Sequence, residues 1–395
     1  MIIICDHNIW YKKTIPLSRQ RYIQMDQDIV NKVITTLKEK KLDAFVVASP
    51  ENFAYLAGFV VPSHHVLRWR HSMLIVTADA RIFAFTVDME ESTVKRNLPD
   101  IPVRCWREFA DDPMQLLADY LVEIGLNNAK IGIELDYLPA RDFERLENYL
   151  PNVSLTCSAN KFNQMRFLKT PAEIALLRQL SRIADQSIYE AYQSVTLGST
   201  EMDIAGALTR KIYEQGAQDF KFMIVATGDR SQLPNVGPSL RKLESGDICR
   251  VEIFPIINGY HAGVCRTASV GKPTSKASEI WSVLSNATKE LLELIKPGVV
   301  ASEIYKSYLK MVEPLNMPPI DFVGHGIGLH LHEDPYLAQD AQALIQEGMV
   351  FGIEPLIYKT GYGFGMQNKD MILVTNEGSE LLSDYTDTTS LIHIS

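Results

Sequence analysis

The stretch Gly324-His325-Gly326-Ile327-Gly328-Leu329-His330-Leu331-His332-Glu333-Asp334-Pro335 holds three histidines and two acids behind three alternate glycines. No other window of the chain is as dense in groups that move protons or bind cations. Glycines at 324, 326 and 328 allow backbone or ligand to approach closely, and strand alternation over 328–332 predicts that Gly328, His330 and His332 share one face. Such a face suits the wall of an acid-base or metal site. A glycine-rich strand and turn carrying surface histidines reads equally well from this window alone.

The rest of the chain must position that wall. Its 395 residues are enough for two domains, and 46% hydrophobic with 22% charged residues is the composition of an ordinary soluble globular protein. A net charge of -9 disfavours nucleic acid or an anionic membrane as the main partner and favours a small molecule or peptide. Cysteines at 5, 105, 157, 249 and 265 are odd in number and lack CxxC spacing, so the reading is reduced thiols in a cytoplasmic protein. The opening MIIICDHNIWYKK has too short an apolar run for a targeting signal, and no segment is apolar for long enough to span a bilayer.

Apolar residues at 29, 30, 33, 34 and 37 predict a helix over about 26–41, followed by a buried strand at 43–49. HSMLIVTAD and RIFAFTVD, separated by a short turn, predict a hairpin; KIGIE at 130–134 predicts a further strand, with a helix ending near Leu150. Residues 1–165 thus form a small mixed α/β domain. Thr170-Pro171-Ala172-Glu173 is a helix start with N-cap, proline at the first position and capping box, and opens a second domain over 166–395.

Within that second domain the pattern recurs at an offset near one hundred. Gly198 with Asp203, Ile204 and Leu208 matches Gly298 with Glu303, Ile304 and Tyr308, while Gly246 through Glu252 matches Gly348 through Glu354. Two equivalent α/β units packed face to face would bring Glu252 and Glu354 to the pseudo-two-fold axis. Closure of a hairpin at Asn258-Gly259 would put His261, Gly263 and Cys265 on one face, and Gly363, Gly365, Gln367 and Lys369 on the equivalent one.

The chain resembles the creatinase, aminopeptidase P and prolidase family, whose C-terminal domain has the pita-bread fold. The resemblance rests on NFAYLAGF at 52–59, RFLKTPAEI at 166–174, Gly259-Tyr260 through Arg266-Thr267, GHGIGLHLHEDP, and Glu347-Gly348-Met349-Val350 through Glu354-Pro355. The family's peptidases hold two divalent metals with two aspartates, a histidine and two glutamates. In this sequence His325 and Glu354 match, the first aspartate is Glu252, the second is Gly263, and the last glutamate falls on Lys369. That departure resembles the metal-independent creatinase and ectoine hydrolase branch, which implies no metal and no other cofactor.

The resulting expectation is a hydrolase that cleaves a C–N bond of a small nitrogenous zwitterion. His325 would be the base, His332 the orienting or proton-donating partner, and His261 a second acid or base. Glu252 and Glu354 would face the cationic part of the substrate or the ammonium of Lys369. Gln367 and Cys265 would complete the lining, and Asn235 stands where creatinase has its principal histidine. Arg70, with Arg68 as a second candidate, would reach a neighbouring subunit's pocket to hold a carboxylate, which implies a homodimer. Two alternatives remain: an Xaa-Pro metallopeptidase that keeps one metal through Glu252, His325 and Glu354, and a catalytically silent binding protein.

Overall fold

The computed structural model describes residues 25–395. The short apolar start and Cys5 lie outside them. Helix α1 (Gln27–Lys40) has Asp26 as N-cap and buries Ile29, Val30, Val33 and Leu37, the face that the spacing predicts. Strand β1 (Ala44–Val47) runs into helix α2 (Pro50–Ala57), and β2 (Met73–Thr77) pairs antiparallel with β3 (Ile82–Val87) as the expected hairpin. With β4 (Val103–Trp106), β5 (Lys130–Ile133) and β6 (Ser154–Cys157) these strands form one sheet in the order β4-β3-β2-β1-β5-β6. Helices α3 (Glu91–Asn97), α4 (Pro113–Glu123), α5 (Ala140–Tyr149) and α6 (Ala159–Phe167) complete the N-terminal domain.

The entry into α2 shows how a buried charge is tolerated. Glu134, just beyond β5, accepts from the backbone N–H of Ala48 and Ser49, from the Ser49 hydroxyl and from the Asn52 amide. These donors, at the positive end of a helix, offset part of the hydration the carboxylate has lost, although burial still holds the Glu134 carboxyl above its ordinary value.

Helix α7 (Pro171–Gln193) begins with the Thr170–Glu173 capping box, both reciprocal hydrogen bonds being formed. Two half-units follow. The first contains α8 (Glu201–Glu214), β7 (Asp219–Thr227), β8 (Ile248–Ile257), β9 (Tyr260–His261) and β10 (Val264–Val270). The second contains α9 (Ser275–Leu294), α10 (Ala301–Val312), β11 (Phe322–Gly326), β12 (Glu333–Ala338), β13 (Val350–Ile353), β14 (Leu356–Ile357), β15 (Met366–Gln367), β16 (Asp370–Thr375) and β17 (Gly378–Leu381). The final strand β18 (Ile392–Ile394) returns to the first half, giving sheets β18-β10-β8-β7 and β12-β11-β13-β16-β17.

The repetition extends to single hydrogen bonds. Gly198 N–H donates to Leu243 C=O as Gly298 N–H does to Ile345 C=O, and Gly246 to Val270 as Gly348 to Val374. Gly198 and Gly298 have φ of 88° and 89°, a conformation that explains the glycine at both places. The halves meet where Cys265 and Lys369 exchange backbone hydrogen bonds of 3.1 Å each way. Fully buried Arg266 reinforces that seam by pairing with Asp185 at 2.8 Å and with Asp370 at 2.7 Å. The fold is therefore a mixed α/β N-terminal domain followed by a duplicated pita-bread domain. Among the described residues no helix is long and apolar enough to cross a membrane.

Buried histidines give the fold a specific acid sensitivity. Burial holds both His64 and His261 down to about 4, against an ordinary 6.5. Each is neutral in the folded chain while the unfolded chain takes up its proton below about pH 6.5, so stability falls with falling pH across that window. The expected loss by pH 4.5 is on the order of 2–3 kcal/mol per histidine. The buried carboxylates Glu333 and Glu354, held at about 2, keep their contributions down to lower pH. Denaturant titrations at pH 7.0, 5.5 and 4.5 check this; a flat profile across that range contradicts it.

Candidate active site

At the seam the Lys369 ammonium lies 3.1 Å from Glu252 Oε1, 3.3 Å from Glu354 Oε2 and 3.0 Å from His325 Nε2, and 4.9 Å from the centre of the Phe254 ring. All four polar side chains are buried. Glu252 arrives from β8, directly opposite Cys265 on β10; His325 comes from β11, Glu354 from the end of β13, and Lys369 from the link between β15 and β16. The pseudo-symmetry thus sets the two glutamates on either side of one cation. Burial favours neutral Lys369, but Glu354 and Glu252 outweigh it and hold the ammonium above its ordinary value. Burial would likewise raise Glu354; the Lys369 charge and the His325 contact reverse this, to about 2.

His325 Nδ1 lies 2.8 Å from the Gly326 carbonyl oxygen, which can only accept, so Nδ1 carries the proton and Nε2 presents its lone pair to the cluster. The His332 ring stacks on His325 with centroids 3.6 Å apart and planes 11° from parallel. Gly352 lies close beside them: a Cβ there would lie 3.1 Å from Lys369 Cε and 3.5 Å from His325 Cε1, so a side chain would press on the lysine stem. His332 is exposed at the mouth of a cavity of about 310 Å³ that Arg166, His330, Asp334 and Tyr336 also line.

Glu354 is held from behind by a relay that the sequence reading did not single out. Arg250 Nη1 donates to Gln367 Oε1 at 2.9 Å, and Gln367 Nε2 donates to Glu354 Oε2 at 3.0 Å. The same guanidinium bonds the carbonyls of Ser231, Leu233 and Pro234 and sits 5.0 Å from the centre of the Tyr358 ring. Strand period was the available signal: positions 250, 252 and 254 share a face.

Other expected site residues fall elsewhere. The predicted strand over 328–332 is a bend, because the buried Glu333 carboxylate accepts from the Leu329 and His330 N–H groups and curls the chain. Glu333 is itself fixed by Lys169 at 2.9 Å and Arg166 at 3.2 Å, contacts over a separation in sequence that no local pattern reveals. His261 Nδ1 lies 3.1 Å from the Gly328 carbonyl oxygen, and its ring lines a different cavity from the one at His332. Arg70 pairs with Glu108 of its own chain at 2.8 Å, and Arg68 donates to the Tyr137 carbonyl; within one chain neither touches the cluster. Asn235 is exposed on the loop after Pro234. Cys265 is fully buried, and burial pushes its thiol well above the ordinary range, which disfavours a thiolate.

The residues decide how many metal ions the site can take. His325, His332 and Glu354 have ligand atoms all within 4.8 Å of one another, and Glu354 Oε1 is a buried acceptor with no hydrogen-bond partner. This set fits one divalent ion. A second does not fit: Gly263 offers no ligand, the Phe254 ring lies 2.4 Å from where its Cβ would be, and Lys369 puts a cation where another carboxylate would be required.

Comparison with known proteins places this architecture. Residues 175–376 match the family model for metallopeptidase family M24, and residues 30–168 match that of the creatinase/prolidase N-terminal domain. The chain belongs to metallopeptidase family M24. It is 27% identical over 360 residues to the Xaa-Pro dipeptidase of Pyrococcus furiosus, covering 90% of this chain and 97% of that one. It is 30% identical over 273 residues to the probable dipeptidase PepE of Mycobacterium tuberculosis, covering 68% and 71%. The recombinant prolidase of Thermococcus sibiricus superposes with a TM-score of 0.84 at 25% identity, over 94% of this chain and 100% of that one.

These findings correct the expected activity. The family is the one the motifs indicated, but these relatives are named as dipeptidases and a prolidase, not creatinases or ectoine hydrolases. The grouping of His325, His332 and Glu354 also runs against a metal-independent hydrolase of small non-peptide zwitterions. The loss of two ligand positions, from which that expectation came, removes the second metal position and leaves a ligand set for one.

Proposed function

We propose that the chain is a dipeptidase of the Xaa-Pro type with a reduced, single-ion centre held by His325, His332 and Glu354. The observation that carries this is the convergence of ligand atoms of His325, His332 and Glu354 within 4.8 Å, with Glu354 Oε1 buried, without a hydrogen bond and 3.4 Å from His325 Nε2. A divalent ion bound there supplies a polarised carbonyl and an activated water.

The chain's own residues supply the rest. The Gly326 carbonyl keeps the His325 proton on Nδ1, so Nε2 remains a donor of its lone pair. Gln367 and Lys369 occupy Glu354 Oε2 and leave Oε1 directed at the site. Lys369 holds a buried positive charge between Glu252 and Glu354, which would favour negative charge developing beside the cluster. The cavity beside His332 is of a size for a small substrate, and its mixed acidic and basic rim suits a zwitterion. His325 Nε2 would hold an ion only where the Lys369 ammonium has left it, and Glu252, 3.1 Å from that ammonium, is a partner that would keep Lys369 in place.

The test is hydrolysis of a panel of Xaa-Pro and Xaa-Ala dipeptides by dialysed protein with manganese, zinc or chelator. The expected result is turnover of Xaa-Pro substrates that the chelator abolishes. Absence of turnover with every metal, or turnover indifferent to chelator, refutes the proposal.

A further inference from the structure

A second cavity, of about 410 Å³, lies between the two domains and is lined by Glu51 and Val60 from one and Phe220, Lys221, Ile256 and His261 from the other. It shares no lining residue with the cavity at His332. Along β8 the side chains of Glu252, Phe254 and Ile256 follow one face, so Ile256 stands about 13 Å from Glu252 at a rise near 3.3 Å per residue. The Phe254 and Phe222 rings, 6.4 Å apart, pack together along the intervening stretch.

One polar group in this cavity is unexplained by the fold. His261 is only 5% exposed, its Nδ1 is committed to the Gly328 carbonyl, and its Nε2 is buried without a hydrogen-bond partner. With the proton on Nδ1, Nε2 is an acceptor that lacks a donor. An unsatisfied buried acceptor is costly, and a ligand N–H relieves that cost on binding. The remaining lining is apolar at Val60, Phe220 and Ile256, with carboxylates at Glu51 and Asp219, a cation at Lys221, and His65 and Gln218 as further polar groups. Glu51 also lies 3.8 Å from His330, which lines the other cavity.

We infer that this interdomain cavity is a second ligand site that takes a free amino acid with an apolar side chain. Its ammonium is directed to His261 Nε2 and Glu51, its carboxylate to Lys221, and its side chain to Val60, Phe220 and Ile256. Binding here does not depend on the dipeptidase reading, because no residue of the cluster around Lys369 takes part.

The test is isothermal titration of the full chain with L-leucine, 4-methylpentanoate and leucinol. L-leucine is expected to bind once per chain, and the analogues lacking the ammonium or the carboxylate at least tenfold more weakly. Val60→Trp, at a partly exposed position, and His261→Phe are each expected to weaken L-leucine at least tenfold, while His332→Ala stays within twofold of the unaltered chain. No binding of L-leucine, unchanged binding in Val60→Trp, equal binding of 4-methylpentanoate, or loss in His332→Ala would each overturn the assignment. The last outcome would move the ligand to the His332 cavity, and none of them bears on whether Xaa-Pro dipeptides are cleaved.

Discussion

Lys369→Met is expected to lower the unfolding free energy of the metal-free chain by about 3–5 kcal/mol and to tighten its affinity for a divalent ion. The substituted side chain has similar length and fills the space beside Phe254, so the change is mainly one of charge. Glu252 and Glu354 would then face each other across the seam without the ammonium that lies 3.1 Å and 3.3 Å from them. Breaking a buried ion cluster by removing one member leaves the others uncompensated, which is why the effect exceeds that of a surface pair. The lone pair of His325 Nε2 would also be released from the ammonium. Added manganese or zinc should therefore recover part of the lost stability in Lys369→Met and stabilise the unaltered chain less, since a ligand stabilises the folded state according to its affinity for it. Denaturant titrations of both proteins with and without metal measure this. Equal stability of the two without metal would show that the buried ammonium is not what balances the glutamates.

His325→Ala should reduce kcat/KM on an Xaa-Pro dipeptide by at least about 10²-fold, beyond the range associated with losing a group that only orients a metal ligand. His325 touches Lys369, Glu354 and His332 together, through contacts of 3.0 Å and 3.4 Å and a ring stack at 3.6 Å. Its removal takes away one of the three proposed metal ligands and the surface on which His332 rests. Lys369 keeps both glutamates, so the variant should remain folded, which circular dichroism checks alongside the kinetics. Cys265→Ala is the contrasting case: burial raises that thiol, and the variant should retain most of its turnover. Retained turnover in His325→Ala, or its loss only in Cys265→Ala, would displace the centre from its assigned place.

Much of this architecture was legible because its signals are local. The Thr170–Glu173 capping box and the β2–β3 hairpin each arise from residues a few positions apart, and the left-handed turns at Gly198 and Gly298 each need only a single glycine; the structure shows all three. The duplication was visible because equal backbone demands select equal glycines. What escaped the reading depends on distant partners. Glu333 bends residues 328–332 only because Arg166 and Lys169, about 165 positions earlier, hold its carboxylate in place. Arg250 reads as an unremarked polar residue in a strand, and its part in orienting Glu354 emerges only when Gln367 arrives from the other half. The mistaken activity had a different origin. In sequence, Gly263 and Lys369 favour a metal-independent centre over a one-ion peptidase held by Glu252, His325 and Glu354, whereas the stacking of His332 on His325, which strand alternation cannot foresee, leaves three potential ligand atoms together.

Metal stoichiometry tests the central claim most directly. After dialysis and reloading with manganese or zinc, elemental analysis of the full chain should give about one ion per chain, falling to near zero in a His325→Ala, Glu354→Gln double variant that remains folded. Two ions per chain, or none in the unaltered protein under loading conditions, would contradict a single-ion centre at His325, His332 and Glu354.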